Sequence, residues 1–275
     1  MKKSKRALIA KDTLAILKKG HYQNQYGENC SIAKAQKQAE QQTKLYTPSE
    51  LQTLIVQSLP SPCFPQTTFM VNGLSSLDAV RAMYPSDVHL FCLNFASARN
   101  PGGGFLKGSQ AQEESIARAS GLYPCQLKAE QYYLANRQHP SCLYTDHMIY
   151  SPYVPIIKDE TGALMDQWIT ASILTAPAVN AGVVQRQEPQ HIDQIESVMK
   201  RRIDMVLAIA QKHQHTRLIL GAWGCGVFQN DPAIVAKLFG TLLKGKYWGQ
   251  FAQVVFAIYA KDQRFITPFK EEYLN

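Results

Sequence analysis

The sequence predicts a layered α/β protein, with a mostly parallel or mixed sheet covered by helices and a helical segment ahead of it. Three observations carry this reading. From Thr67 onward, short β-rich runs alternate with helix-like stretches, as expected where helices connect the strands of one sheet. One of those stretches, 191–212, places Ile192, Ile195, Met199, Ile203, Val206 and Ala210 on a single apolar stripe. Residues 1–60 show helix-like spacing alone, before Pro60, Pro62 and Pro65 punctuate the chain.

Each element has its own signal. In the N-terminal segment, Leu8-Ile9, Leu14, Ile16-Leu17, Leu51 and Leu54-Ile55 recur at helical intervals, and Thr47-Pro48-Ser49-Glu50 reads as a helix start. Strands are expected over 67–71, 88–95, 147–150, 172–175, 217–220 and 254–259. Helices are expected over 76–84, 112–120, 191–212 and 232–243. Asp231-Pro232 supplies the last of these with a cap and a proline at its first position.

The chain has 275 residues, 45% of them hydrophobic, which suits a folded protein. No run approaches the roughly 18–20 apolar residues of a membrane span. The basic start is broken by Lys11, Asp12, Lys18 and Lys19 before an export signal could develop. The six cysteines are scattered without a CxxC pair, so neither a metal centre nor a disulfide framework is expected, and a cytoplasmic location is. The net charge of +8 favours an anionic ligand without naming one. The densest interior basic cluster, Lys200-Arg201-Arg202, reads as a solvated face.

Two constellations carry chemistry. In the first, the strand ending at Phe95 runs into Gly102-Gly103-Gly104. A glycine run after a core strand either forms a plain flexible loop or lets the backbone approach a ligand and offer it N–H groups. Gln112-Glu113-Glu114 then opens a helix. Those carboxylates either complement the helix dipole, with Glu114 paired to Arg118, or face a sugar, one binding its hydroxyls and the other transferring protons. In the second, the strand 217–220 ends in Gly221-Ala-Trp-Gly224-Cys225-Gly226-Val227-Phe228-Gln-Asn230 before the helix at Pro232. Neither a full GxGxxG nor a Walker A, this loop either cradles a pyrophosphate or simply connects strand to helix, with Phe228 filling the core.

Gly102-Gly103-Gly104, a seven-residue spacer and Gln112-Glu113-Glu114 together resemble the signature of the poly(ADP-ribose) glycohydrolases. The text over 94–115, Ser120-Gly-Leu-Tyr-Pro124, Tyr150-Ser-Pro152 and the segment 175–182 resemble the compact microbial branch. The resemblance implies a three-layer α/β/α macrodomain-like mixed sheet over 67–275, with a helical extension over 1–66 packed on it. It implies Glu114 as catalytic acid and base, with Glu113 anchoring the ribose hydroxyls. Gly102, Gly103, Gly104, Gln112, Gly224, Cys225, Gly226, Val227 and Phe228 would bind the ligand, Phe228 against the distal ribose. The ligand would be ADP-ribose or poly(ADP-ribose), free or on modified proteins, with no cofactor, metal or membrane partner. Two other readings stay open: a module that binds ADP-ribose without cleaving it, and a hydrolase of another ADP-ribose linkage. No nucleic-acid-binding module is recognisable. Tyr123, Tyr132 and Tyr133 either stack on adenine or pack inside. Asn94 and Asn100 either touch ribose or serve the loop, and Asn180-Ala181-Gly182 has no assigned role.

Overall fold

The computed structural model describes residues 1–84 and 89–274; Val88, at the start of one expected strand, lies outside them. Its strands are β1 (His21–Gln23), β2 (Asn29–Ser31), β3 (Lys44–Tyr46), β4 (Thr68–Asn72), β5 (Phe91–Phe95), β6 (Met148–Lys158), β7 (Leu164–Ala176), β8 (Arg217–Leu220) and β9 (Gln253–Ala257). All but the β1–β2 hairpin join one sheet, in the order β3-β6-β7-β5-β8-β9-β4. From β7 to β4 every pairing is parallel, whereas β6 pairs antiparallel with both β7 and β3, so the sheet is mixed.

The helices are α1 (Lys3–Lys19), α2 (Ala33–Gln42), α3 (Pro48–Val56), α4 (Ser76–Met83), α5 (Gln112–Ala119), α6 (Leu122–Leu127), α7 (Glu130–Gln138), α8 (Ala181–Gln187), α9 (Ile195–Lys212), α10 (Pro232–Leu243) and α11 (Thr267–Leu274). Side chains alternate across the sheet with period two. Along β5, Phe91 and Leu93 enter a core shared with α3, α9, α10 and α11, while Cys92 enters one shared with α4, α5 and α6. Helices therefore cover both faces, and the expected layered architecture is observed.

The helix starts form as anticipated. Thr47 and Glu50 close a reciprocal capping box on α3, and the Asp231 carboxylate accepts from the N–H groups of Ala233 and Ile234 on α10. On α9 the residues Met199, Ile203, Val206 and Ala210 are buried, but 189–194 is a 3₁₀ turn and leaves Ile192 exposed.

Three readings are corrected. Residues 1–60 are not helical throughout: they also form the small hairpin and β3, which adds an edge to the main sheet through Lys44↔Tyr150 and Tyr46↔Met148. Three-residue strands are too short to show alternation. β6 and β7 run well beyond 147–150 and 172–175, because the hairpin joining them is closed by a turn in which Asp159 Oδ1 accepts from the N–H groups of Thr161 and Ala163. Arg202 is fully buried rather than solvated. Its guanidinium donates to Asp146 Oδ1 (2.8 Å) and to the carbonyls of Tyr144 and Pro177, and Arg201 binds the same carboxylate.

Candidate active site

The site begins where two neighbouring strands part. β5 and β8 pair only through Phe91↔Leu218 and Cys92↔Ile219, although β5 stays paired with β7 as far as Phe95↔Ala176. Gln112, the first residue of α5, fills the gap. Its Oε1 accepts from the Phe95 N–H (2.8 Å), and its Nε2 donates to the Leu93 carbonyl (2.7 Å) and to Ser76 Oγ (3.0 Å). A side-chain amide thus stands in for a missing strand partner and sets the start of α5 at the carboxyl end of β5. Gln112 lines the cavity that opens there, but both ends of its amide are engaged with protein.

The next two residues differ in burial. Glu113 is buried: its Oε2 accepts from the Ser97 N–H (2.7 Å), and its Oε1 from Gln126 Nε2 (3.0 Å) and Asn94 Nδ2 (3.3 Å). Burial pushes its carboxyl up to about 8; those three donors oppose the rise and Glu114 adds to it. Glu114 is half-buried, and its Oε1 accepts from the Gly104 N–H (3.0 Å). Among the described residues it has no ion pair with Arg118, whose guanidinium instead holds the Ser109 carbonyl and Gln110.

The triglycine packs closely on its surroundings, and at Gly103 it packs on the two carboxylates. Gly103 has φ +58°, and a Cβ there would lie 2.5 Å from Glu114 Oε1 and 3.1 Å from Glu113 Oε2. The Gly103 N–H donates to the Asn100 carbonyl and the Gly104 N–H to Glu114. Those two N–H groups are therefore spent within the protein, and Gly102, Gly103 and Gly104 are not among the residues lining the cavity. At Gly103 the missing Cβ lets both carboxylates come close to the backbone, whereas a Cβ at Gly102 would meet Phe105 and Ala117 and one at Gly104 would meet Ser109.

The second loop meets this pair across a cavity of about 510 Å³ bounded by Glu113, Glu114, Gly224, Gly226, Val227 and Phe228, among others. Gly224 (φ +75°) packs where a Cβ would lie 2.5 Å from that of Ala178. Asn230 is buried and donates to the carbonyls of Val179 (2.7 Å) and Gly224 (3.0 Å), tying both ends of the loop down. Among the described residues, the N–H groups of Gly224, Gly226, Val227 and Phe228 have no acceptor in the protein. Such a group of unpaired donors suits an anion. The helix end behind the loop adds less than expected, because Asp231 already caps it.

The remaining candidates sort by position. Cys225 is turned into the main core and its N–H donates to Ala222, so its expected ligand role is not supported by placement. Phe228 is half-buried at the cavity with its ring 6.1 Å from that of Tyr144. Tyr132 and Tyr133 are buried against each other and Tyr123 packs on Phe105, all away from the cavity. Asn94 serves Glu113, and Asn100 forms the turn. Asn180 caps α8, and the Gly182 N–H donates to the Phe228 carbonyl, which gives that segment its role of holding the second loop. The sequence reading missed Glu160, Ser75, Ser76 and Tyr259 on the cavity wall. Tyr259 is 81% exposed there because β9 ends at Ala257, two residues earlier than expected. Among the described residues, no three His, Cys, Asp or Glu side chains gather as a metal site, and no helix is long and apolar enough to cross a membrane.

A three-layer α/β fold, with a carboxylate pair facing a glycine-rich anion loop at the carboxyl ends of parallel strands, defines a class of sugar-nucleotide-handling enzymes. Residues 10–159 match the microbial-type PARG (poly(ADP-ribose) glycohydrolase) catalytic domain, and the chain belongs to that family. It is similar to the crystal structure of poly(ADP-ribose) glycohydrolase from Thermomonospora curvata, with 39% identity and a TM-score of 0.93 over 98% of this chain and 100% of that one. The same enzyme bound to the inhibitor ADP-HPD matches at 38% identity and a TM-score of 0.91, over the same shares of the two chains. The Deinococcus radiodurans enzyme in complex with ADP-ribose matches at 41% identity and a TM-score of 0.81, over 86% of this chain and 96% of that one. No curated protein matches by sequence.

Proposed function

We propose that this chain hydrolyses the ribose–ribose O-glycosidic bonds of poly(ADP-ribose), releasing ADP-ribose, with Glu114 as general acid and base. The observation that carries the residue assignment is the cavity itself, where the Glu114 carboxyl faces a loop bearing four unpaired N–H groups. That loop takes the pyrophosphate, and Phe228 packs against the distal ribose. Glu113 has three donors on its two oxygens, which leaves one further hydrogen-bonding position for a ribose hydroxyl.

Protonated Glu114 gives its proton to the leaving oxygen as the glycosidic bond breaks and the ribose acquires oxocarbenium character. The resulting carboxylate then takes a proton from the attacking water, which restores the acid and completes the new C–O bond. Gly104 holds the carboxyl through both steps. Residues 67–275 act as the catalytic domain, and 1–66 is an extension that lends the sheet its edge strand. Six unpaired cysteines fit a reducing cytoplasm as the place of action.

A module that only binds ADP-ribose has no need of a second carboxyl group held beside the first by three donors. The test compares wild type with Glu114→Gln, measuring ADP-ribose released from the polymer and ADP-ribose affinity. Retained affinity with release lowered roughly 10²–10⁴-fold is expected. Equal release from both proteins overturns the assignment, and release confined to another linkage redirects the substrate.

A further inference from the structure

The net charge of this chain is concentrated on one helix. Between Lys2 and Lys19 lie seven of the 29 Lys and Arg residues but a single acid, Asp12. That acid is already engaged, because the buried Lys158 ammonium donates to Asp12 Oδ2 at 2.6 Å. Lys18 and Lys19 sit in the last turn of α1, where cations complement the helix dipole. The opposite end has no such explanation. Lys2, Lys3, Lys5 and Arg6 crowd the first turn, where there is no acid and no side-chain cap, so the dipole and their mutual repulsion both oppose them.

This end of α1 adjoins the catalytic loop. Arg6 Nε donates to the Gly108 carbonyl (2.7 Å), and Gly108 packs so closely on the first turn of α1 that a Cβ would strike the Lys3 carbonyl. Lys107 precedes Gly108 in a single 3₁₀ turn, and its N–H donates to the carbonyl of Gly104, the residue whose own N–H holds Glu114. Lys2, Lys3, Lys5 and Lys107 are exposed, and among the described residues none has a carboxylate partner. Elsewhere the structure neutralises such clusters, as Asp146 does for Arg201 and Arg202. Most of α1's first two turns also precede the stretch matched to the family.

We infer that Lys2, Lys3, Lys5 and Lys107 form a cationic track for the pyrophosphates of the poly(ADP-ribose) strand beyond the unit held in the cavity. The inference rests on the proposed hydrolysis, and it extends the substrate contact from one nucleotide unit to the polymer. Binding of this kind is electrostatic and depends on chain length, and salt weakens it far more than it weakens the cavity contacts.

The test uses full-length protein carrying Glu114→Gln, so that the polymer survives, with and without Lys2→Glu, Lys3→Glu, Lys5→Glu and Lys107→Glu together. Arg6 is kept because it holds Gly108. Dissociation constants for long poly(ADP-ribose) and for monomeric ADP-ribose are measured across a salt series. For a single-stranded polyanion each lost phosphate contact flattens the log–log salt slope by about 0.7, so the fourfold variant should flatten it by about 3 and lose on the order of 100-fold in polymer affinity at low salt. Monomer affinity should hold, which also reports that the fold is intact; Lys107→Glu alone gives a milder version of the same pattern. An unchanged salt slope for the polymer overturns the track. So does equal competition by a single-stranded oligonucleotide of the same charge, which would assign the lysines to nucleic acid. Failure of the hydrolysis reading is separate: it appears as wild type that releases no ADP-ribose.

Discussion

Gly103→Ala tests whether the triglycine serves the carboxylates. The new methyl carbon would begin 2.5 Å from Glu114 Oε1, where ordinary contact starts near 3.4 Å, so the carboxylate must retreat by about 0.9 Å. A displacement near 1 Å at a reacting group costs on the order of 10²-fold in rate. The backbone pays separately: φ +58° is left-handed, which costs a non-glycine residue about 1–2 kcal/mol. In a chain of this size that lowers the melting temperature by roughly 2–8 °C. The assay pairs steady-state release of ADP-ribose with thermal unfolding and monomer affinity. Gly73→Ala serves as the control, since its Cβ would meet nothing within 4 Å and its φ is not positive. The expected result is kcat down about 100-fold, monomer affinity within about threefold, and a modest loss of stability. Turnover within threefold of wild type, despite the lost stability, would refute the cradle.

Three further outcomes follow from buried polar groups. Glu113 has a folded-state value raised from 4.5 to about 8, so the native protein holds this proton longer than the unfolded chain does. Its contribution is complete below 4.5 and is lost as pH rises toward 8, roughly 5 kcal/mol in all; urea titrations should show Glu113→Gln lacking that decline. Asp146 is pushed up by burial but held below 3.8 by Arg202 and Arg201, which outweigh it, so its stabilisation is present above 3.8 and fades as pH falls through the lower folded value. Asp146→Asn should cost about 3–5 kcal/mol at neutral pH and remove that acid limb, as measured by denaturant unfolding. Asn230→Ala strips a donor from the Val179 carbonyl and frees one end of the second loop; isothermal titration should show ADP-ribose affinity down about tenfold, or roughly 1.4 kcal/mol.

Patterns with local causes were legible in the sequence. The cap at Asp231, the capping box at Thr47 and the stripe through Met199, Ile203 and Val206 all depend on residues within a few positions of each other. The meeting of Glu114 with the loop at Gly224 was anticipated through the paired motifs. What escaped depends on distant partners. Asn94 reads as a loop amide until Glu113 and Thr175 are seen beside it in the core. Arg202 reads as surface until Asp146, Tyr144 and Pro177 supply its acceptors. Cys225 shares a loop with cavity-lining residues but points into the core, a difference of one residue that glycine-rich text cannot register. β3 gains its strand identity from β6, about a hundred positions downstream.

The amide of Gln112, bonded across the gap between β5 and β8, has a mechanical consequence. A helix fastened to a strand at its first residue inherits the stiffness of the sheet, so the Glu114 carboxyl two residues later, the proposed proton donor, stands in place before any substrate arrives. Substrate capture then need not organise the reacting group, and the Phe95 amide should exchange with solvent deuterium equally slowly in empty and occupied enzyme.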